Sequence, residues 1–237
     1  MKVHLLTALL LAPLAALQAA DTPKPASKPN IVLILTDDLG WTDGGVFGST
    51  FYETPNIDRL AAQGMRFTDA HTSSGVCSPT RYALLTGRYH WRSKLQSGIV
   101  GPFAAPLITP ERFTIANLAK SHGYRTAAIG KWHLGWDWPI PEADRPLFRN
   151  YKEADKSSPE TNRATWAKVF DQKISGGPTT RGFDSYFGTD VPNWPPYCFI
   201  ENDRTIGIPS VPLPAEFFRN HLASTPGPAL PDWKLEA

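Results

Sequence analysis

The sequence predicts an α/β fold with a mostly parallel sheet sandwiched by helices. Three observations carry that expectation. Asn30–Leu35 (NIVLIL) is an unbroken run of β-branched and Leu residues, the pattern of a strand buried on both faces. Cap–helix–Gly patterns follow it, and Tyr124–Ile129 then reads as a second strand after a helix. The chain has 237 residues and 41% hydrophobic content, enough for a sizeable core.

Taken in order, the first element is an export signal. Lys2 supplies a positive start, Leu5–Leu17 is an apolar run too short to span a bilayer, and the small residues Ala19 and Ala20 follow. Residues 1–20 are therefore expected to be a signal peptide and 21–29 a polar, Pro-rich linker. Residues 30–237 are expected to form the folded part of the chain. With no Cys at the cleavage point, no lipid anchor is expected there, and a secreted or periplasmic location follows. A net charge of +2 points away from a nucleic-acid partner.

After the strand at 30–35 comes a helix with Thr54 as N-cap, Pro55 at its first position and Gly64 at its end. Its apolar face is Ile57, Leu60 and Ala61. Residues 65–70 read as a short strand. Ser78 is expected to cap a helix from Pro79 to Gly87, and Thr114–Gly123 repeats the pattern with Ile115, Leu118 and Ala119 inward. Residues 136–163 are polar and Pro-broken, which predicts a long loop. Gly182–Gly188 reads as a strand or tight turn. From 201 to 237 there are six Pro and no sustained periodicity.

Three constellations carry chemistry. Asp37-Asp38 directly follows the first strand, and ligands collect beyond the carboxyl ends of strands in open α/β sheets. The pair suits a hard divalent cation, or is a solvated turn. Cys77-Ser-Pro-Thr-Arg81 places Cys77 at a helix N-terminus, where free N–H groups and the dipole favour anions. Arg81, one turn on, can aim its guanidinium at the same place. The same setting would also suit an ordinary thiolate nucleophile. Gly130-Lys-Trp-His-Leu-Gly135 follows a strand, so Lys131 and His133 emerge together as a cation and a proton donor, or are a surface Lys and a loop His. The only two Cys, Cys77 and Cys198, could instead pair as a disulfide. The eight Trp suit either core packing or the walls of carbohydrate pockets.

The segments PNIVLILTDDLGW, ETPNIDRLAAQGMRFTDAH, CSPTRYALLTGRYHWR, LAKSHGYRTAAIGKWHLG and GPTTRGFDSYFG run in this order from Pro29 to Gly188. In them the chain resembles the formylglycine-dependent sulfatases of the alkaline-phosphatase-like superfamily. That resemblance implies oxidation of Cys77 to formylglycine by a formylglycine-generating enzyme. One hydroxyl of the hydrated aldehyde would attack sulfur, and the second would drive out sulfate. It further implies Asp37, Asp38 and the modified Cys77 as ligands of one Ca²⁺, Arg81 as the residue holding the formylglycine, and Lys131 and His133 as the sulfate-binding pair. The implied substrate is a sulfate ester, with a sulfated glycan expected, and Asn193 beside Trp194-Pro-Pro-Tyr197 is a candidate sugar contact. No match to the family's later metal ligands follows Gly188, since Asn202-Asp203 run in reverse order. The chain thus reads as a truncated N-terminal portion, inactive and weak in Ca²⁺ binding by itself. A phosphate or phosphonate ester hydrolase of the same superfamily, or an inactive remnant, are the alternatives.

Overall fold

The computed structural model describes residues 28–149, 159–220 and 222–234. The expected signal over 1–20, and all of the 21–29 linker except residues 28 and 29, lie outside them. The chain divides into two compact units, Met1–Gly64 and Met65–Ala237.

In the first unit, helix α1 spans Pro55–Gln63 between Thr54 and Gly64, as expected. Pro55 suits the first turn because its fixed φ is already helical and no N–H is needed there. Thr54 makes no side-chain cap to the helix. Its hydroxyl instead accepts from the Gly45 N–H at 2.8 Å and donates to Asp58 Oδ1 at 3.1 Å. Asp58 also accepts from the Val46 N–H at 2.7 Å, so the 3-10 turn Gly45–Phe47 is fastened to α1. The apolar face fares differently, since Ile57 and Leu60 are exposed. Residues 30–35 correct the expectation more fully. They form no strand, and Ile31 to Leu35 are between 39% and 82% exposed. A strand buried on both faces exists only where neighbours complete its ladder and cover its side chains. Among the described residues no strand pairs with this run.

The second unit holds α2 (Cys77–Thr86), α3 (Ile115–Ser121), β1 (Ala127–Ile129), α4 (Pro146–Arg149), α5 (Pro159–Phe170), β2 (Ser185–Gly188), β3 (Ile200–Glu201), β4 (Arg204–Thr205), β5 (Val211–Pro212), α6 (Ala215–Arg219) and β6 (Pro228–Ala229). The α/β class is observed with a mixed sheet in the order β1-β2-β3-β4. Strand β1 runs parallel to β2, pairing Ala127 with Ser185 and Ile129 with Phe187, and the pairs β2–β3 and β3–β4 are antiparallel. Residues 65–70 form no strand, and Met65 and Phe67 are exposed.

Helix α3 has a full capping box, in which the Thr114 side chain accepts from the Asn117 N–H and the Asn117 side chain from the Thr114 N–H. The Thr114 hydroxyl also donates to the Arg181 carbonyl at 2.7 Å, tying the helix start to the turn before β2. Its buried residue is Ala116, whereas Ile115 and Leu118 are exposed, so the inward face is rotated from the expected one.

The expected loop from 136 is corrected. Trp132, Leu134, Trp136, Trp138 and Ile140 are all buried and form the centre of the core with Phe103, Phe148, Trp166 and Phe170. Phe103 meets Trp138 and Phe148 edge-on, and Trp138 meets Phe170 edge-on, the preferred geometry for aromatic quadrupoles. Pro139 and Pro141 prevent regular structure here without preventing burial. A Gly at 177 is required, because a Cβ there would lie 1.9 Å from the Trp136 ring.

Candidate active site

Cys77 is the first residue of α2, preceded by Val76 in extended conformation. The expected cap is corrected: Ser78 lies inside the helix, and no side chain caps its start. Ser78 is buried because its hydroxyl accepts from the Val100 N–H at 3.1 Å. The N-terminal amides of α2 at Cys77 therefore face no capping side chain, which leaves a positive end for an anion. Cys77 is half-buried and Cys198 buried, and both are free thiols rather than a disulfide. Burial, with a smaller effect from the Asp190 charge, pushes the Cys198 thiol up, which makes it inert.

Lys131 and His133 leave the carboxyl end of β1. The parallel pairing continues past both strand ends. The Gly130 N–H donates to Phe187 O at 2.9 Å, Trp132 N–H to Thr189 O at 3.0 Å and His133 N–H to Asp190 O at 3.0 Å. The close approach needs glycine at 188, where a Cβ would lie 2.0 Å from the Gly130 carbonyl. His133 is 2% exposed with φ of +54°, an uncommon conformation for a residue with a Cβ.

Two connections bring this segment to α2. Arg81 Nη1 donates to the Lys131 carbonyl at 2.6 Å. His133 Nε2 lies 2.8 Å from the Val100 carbonyl, whose own N–H is bound by Ser78. A carbonyl only accepts, so Nε2 carries the hydrogen in this contact. Arg81, Lys131 and His133 thus belong to one hydrogen-bonded framework with the helix that Cys77 begins.

Asp37 and Asp38 belong to the first unit, where both are exposed and Asp38 has φ of +53°. Their adjacent carboxylates are hard oxygen donors of the kind Ca²⁺ takes. Among the described residues no group of three or more His, Cys, Asp or Glu is gathered to hold a metal ion. Asn193 is exposed, and its amide donates to Ser224 Oγ at 3.0 Å. Of the expected pocket wall, Pro195, Pro196 and Tyr197 are buried, while half-buried Trp194 meets the His133 ring edge-on at 5.3 Å. Asp203 pairs with Lys173 at 2.8 Å at the β3–β4 turn.

The sequence reading passed over Asp190. It follows β2 at the same rim as Lys131 and is 4% exposed. Burial pushes its carboxyl up to about 6, against the opposing pull of the Trp136 indole, the His133 N–H and the Lys131 charge. The rule that singled out Asp37-Asp38, carboxylates just beyond a strand's carboxyl end, applies equally to it. Gly182–Gly188 reads as a strand or tight turn, and its strand Ser185–Gly188 pairs parallel to β1.

The family model described as Sulfatase matches residues 29–197. An N-acetylgalactosamine-6-O-sulfatase of Bacteroides thetaiotaomicron is 44% identical over 115 residues, 48% of this chain and 22% of that protein. Arylsulfatase A of Homo sapiens is 46% identical over 110 residues, 46% of this chain and 22% of that protein. An N-acetylgalactosamine-6-sulfatase of Canis lupus familiaris is 33% identical over 198 residues, covering 80% of this chain and 30% of that protein. A solved structure from work on the metabolism of multiple glycosaminoglycans by Bacteroides thetaiotaomicron superimposes with a TM-score of 0.60 at 34% identity, covering 76% of this chain and 32% of that one. The matched stretches span only 22% to 30% of the length of these curated relatives.

Proposed function

The chain belongs to the sulfatase family, and on that premise we propose that it serves the hydrolysis of a sulfate ester, on a sulfated carbohydrate, with Cys77 converted to formylglycine. The observation that carries this reading is the framework joining the start of α2 to the Lys131–His133 segment through Arg81 and Val100. As formylglycine hydrate, position 77 would supply the attacking hydroxyl.

The chain's own residues have distinct tasks. The first amides of α2 and the Arg81 guanidinium favour negative charge at position 77. Arg81 also holds the Lys131 backbone, and so sets where the ammonium stands. That ammonium binds an oxygen of the anionic ester. His133, with its hydrogen on Nε2 fixed by Val100, moves a proton at Nδ1. Burial of His133 beneath Trp194 limits water around that atom. Asp37 and Asp38 would supply hard oxygen ligands to one Ca²⁺, which when bound would supply Lewis-acid chemistry. The glycan preference draws on the galactosamine sulfates in the relatives' names and on Asn193 and Trp194 as sugar contacts. The apolar run of residues 5–17 supports export of the protein. Among the described residues no helix is long and apolar enough to cross a membrane.

The test is made on the intact natural protein, coexpressed with a formylglycine-generating enzyme. The tryptic peptide holding residue 77 should lose sulfur, gain oxygen and react with a hydrazide. Nitrophenyl sulfate should turn over, and Cys77→Ala should abolish that turnover with the fold retained by circular dichroism. Preference for nitrophenyl phosphate would favour a phosphoester hydrolase. An unmodified Cys77 and no turnover of either ester would leave an inactive relative.

A further inference from the structure

Asp190 is a buried carboxylate that the proposed reaction does not yet use. Its backbone carbonyl accepts the His133 N–H at 3.0 Å, and its Oδ1 lies 3.2 Å from the same hydrogen's nitrogen. Two acceptors of one residue thus hold the backbone of His133, whose φ of +54° is costly for a side chain with a Cβ. The titratable and charged groups facing the carboxylate are His133 and Lys131 on the segment after β1, Tyr186 on β2 and Cys198 before β3, with Arg81 of α2 acting on Tyr186. Tyr186 and Cys198 are neutral at ordinary pH, because burial pushes both up. Lys131 is therefore the cation whose field Asp190 offsets.

We propose that Asp190 is a positioning residue, whose carboxylate holds His133 in its left-handed turn and whose charge moderates the grip of Lys131 on an anionic sulfate group. The proposal rests on the reading of Lys131 as the sulfate-binding cation. Its chemical sense lies in turnover. Substrate ester and product sulfate are both anions, and a stronger cationic field at half-buried Lys131 would retain the product. With the carboxyl poised near 6, the grip tightens as pH falls through that value, whereas sulfate itself keeps its charge there.

The decisive variants are Asp190→Asn and Asp190→Ser, which keep an oxygen near the His133 N–H and remove the charge. Calorimetric binding of inorganic sulfate to the formylglycine-containing protein is measured at pH 5 and pH 7.5. The parent should bind sulfate roughly fivefold more tightly at pH 5 than at pH 7.5. Either variant should bind at pH 7.5 about as tightly as the parent does at pH 5, with the pH dependence flattened. In the turnover assay, KM for nitrophenyl sulfate and the inhibition constant of inorganic sulfate should both fall at pH 7.5. Unchanged sulfate affinity at pH 7.5 in a folded variant overturns the proposal. So does a parent that binds no sulfate at either pH, since Lys131 then grips no anion. A parent that binds sulfate in the expected pattern without turning over any ester would sink the hydrolase reading and leave this one standing.

Discussion

His133 is held at two places: its backbone by Asp190 and its Nε2 by Val100. Neither partner is near it in sequence, so no local pattern reveals how fixed the ring is. Arg81 shows the same dependence on distant partners, because its guanidinium reaches the Lys131 carbonyl across fifty positions. Arg81→Lys replaces a planar fork by a point charge, and hydrogen bonds to charged groups are worth about 1.5–3 kcal/mol. The expected result is a loss of roughly tenfold or more in kcat/KM for nitrophenyl sulfate, together with a lower melting temperature. Asp190 also has a stability signature. Its folded pKa of about 6 lies above the ordinary carboxyl value of 3.8, so the cost of its ionisation grows as pH rises through that window and stays constant above it. Asp190→Asn should therefore be more stable than the parent at pH 7.5, by up to about 3 kcal/mol, and should lose that advantage near pH 4. Urea unfolding at the two pH values measures the difference. Asp184 has the opposite sign. Its hydrogen bond to Lys120 holds it down to about 2, so the stability it lends is present above the usual carboxylate range and is lost as pH falls toward 2.

Helices were the most legible elements. Thr54-Pro55 with Gly64, and Thr114 with Gly123, mark α1 and α3 because caps and glycines act within a turn. Thr114→Ala removes the capping box and the bond to Arg181, and should cost about 2 kcal/mol, read as a lower melting temperature. Strands were harder. The expected start of β1 at 124 moved to Ala127, and the short β2 was clear only beside it. The rim depends on how closely these two strands approach. Gly188→Ala would place a Cβ against the Gly130 carbonyl, so the backbone must shift where Lys131 leaves the sheet. A destabilisation of about 1–3 kcal/mol is expected. A weakened turnover should accompany it, even though residue 188 touches no substrate in the proposed site.

At the scale of the whole molecule, the second unit has a dense aromatic core while the run at 31–35 stands in solvent. Ile129 and Phe187 on the paired strands are also exposed. Exposed apolar side chains of this kind bind hydrophobic probes and favour association. The 237-residue chain is therefore expected to enhance the fluorescence of an anilinonaphthalene dye, and Val32→Thr with Ile34→Thr should reduce that signal. By itself, the sequence determined the α/β class, the helices that begin at local caps, and the cysteine–arginine and lysine–histidine motifs, because each is written in residues within one turn or one strand of each other. Tertiary structure alone decided that the Trp136–Ile140 stretch is core rather than loop, that Arg81 and Val100 join the two motifs, and that Asp190 lies buried among them. Those outcomes depend on burial and on hydrogen bonds between segments far apart in the chain, and such energies exist only once the segments have met.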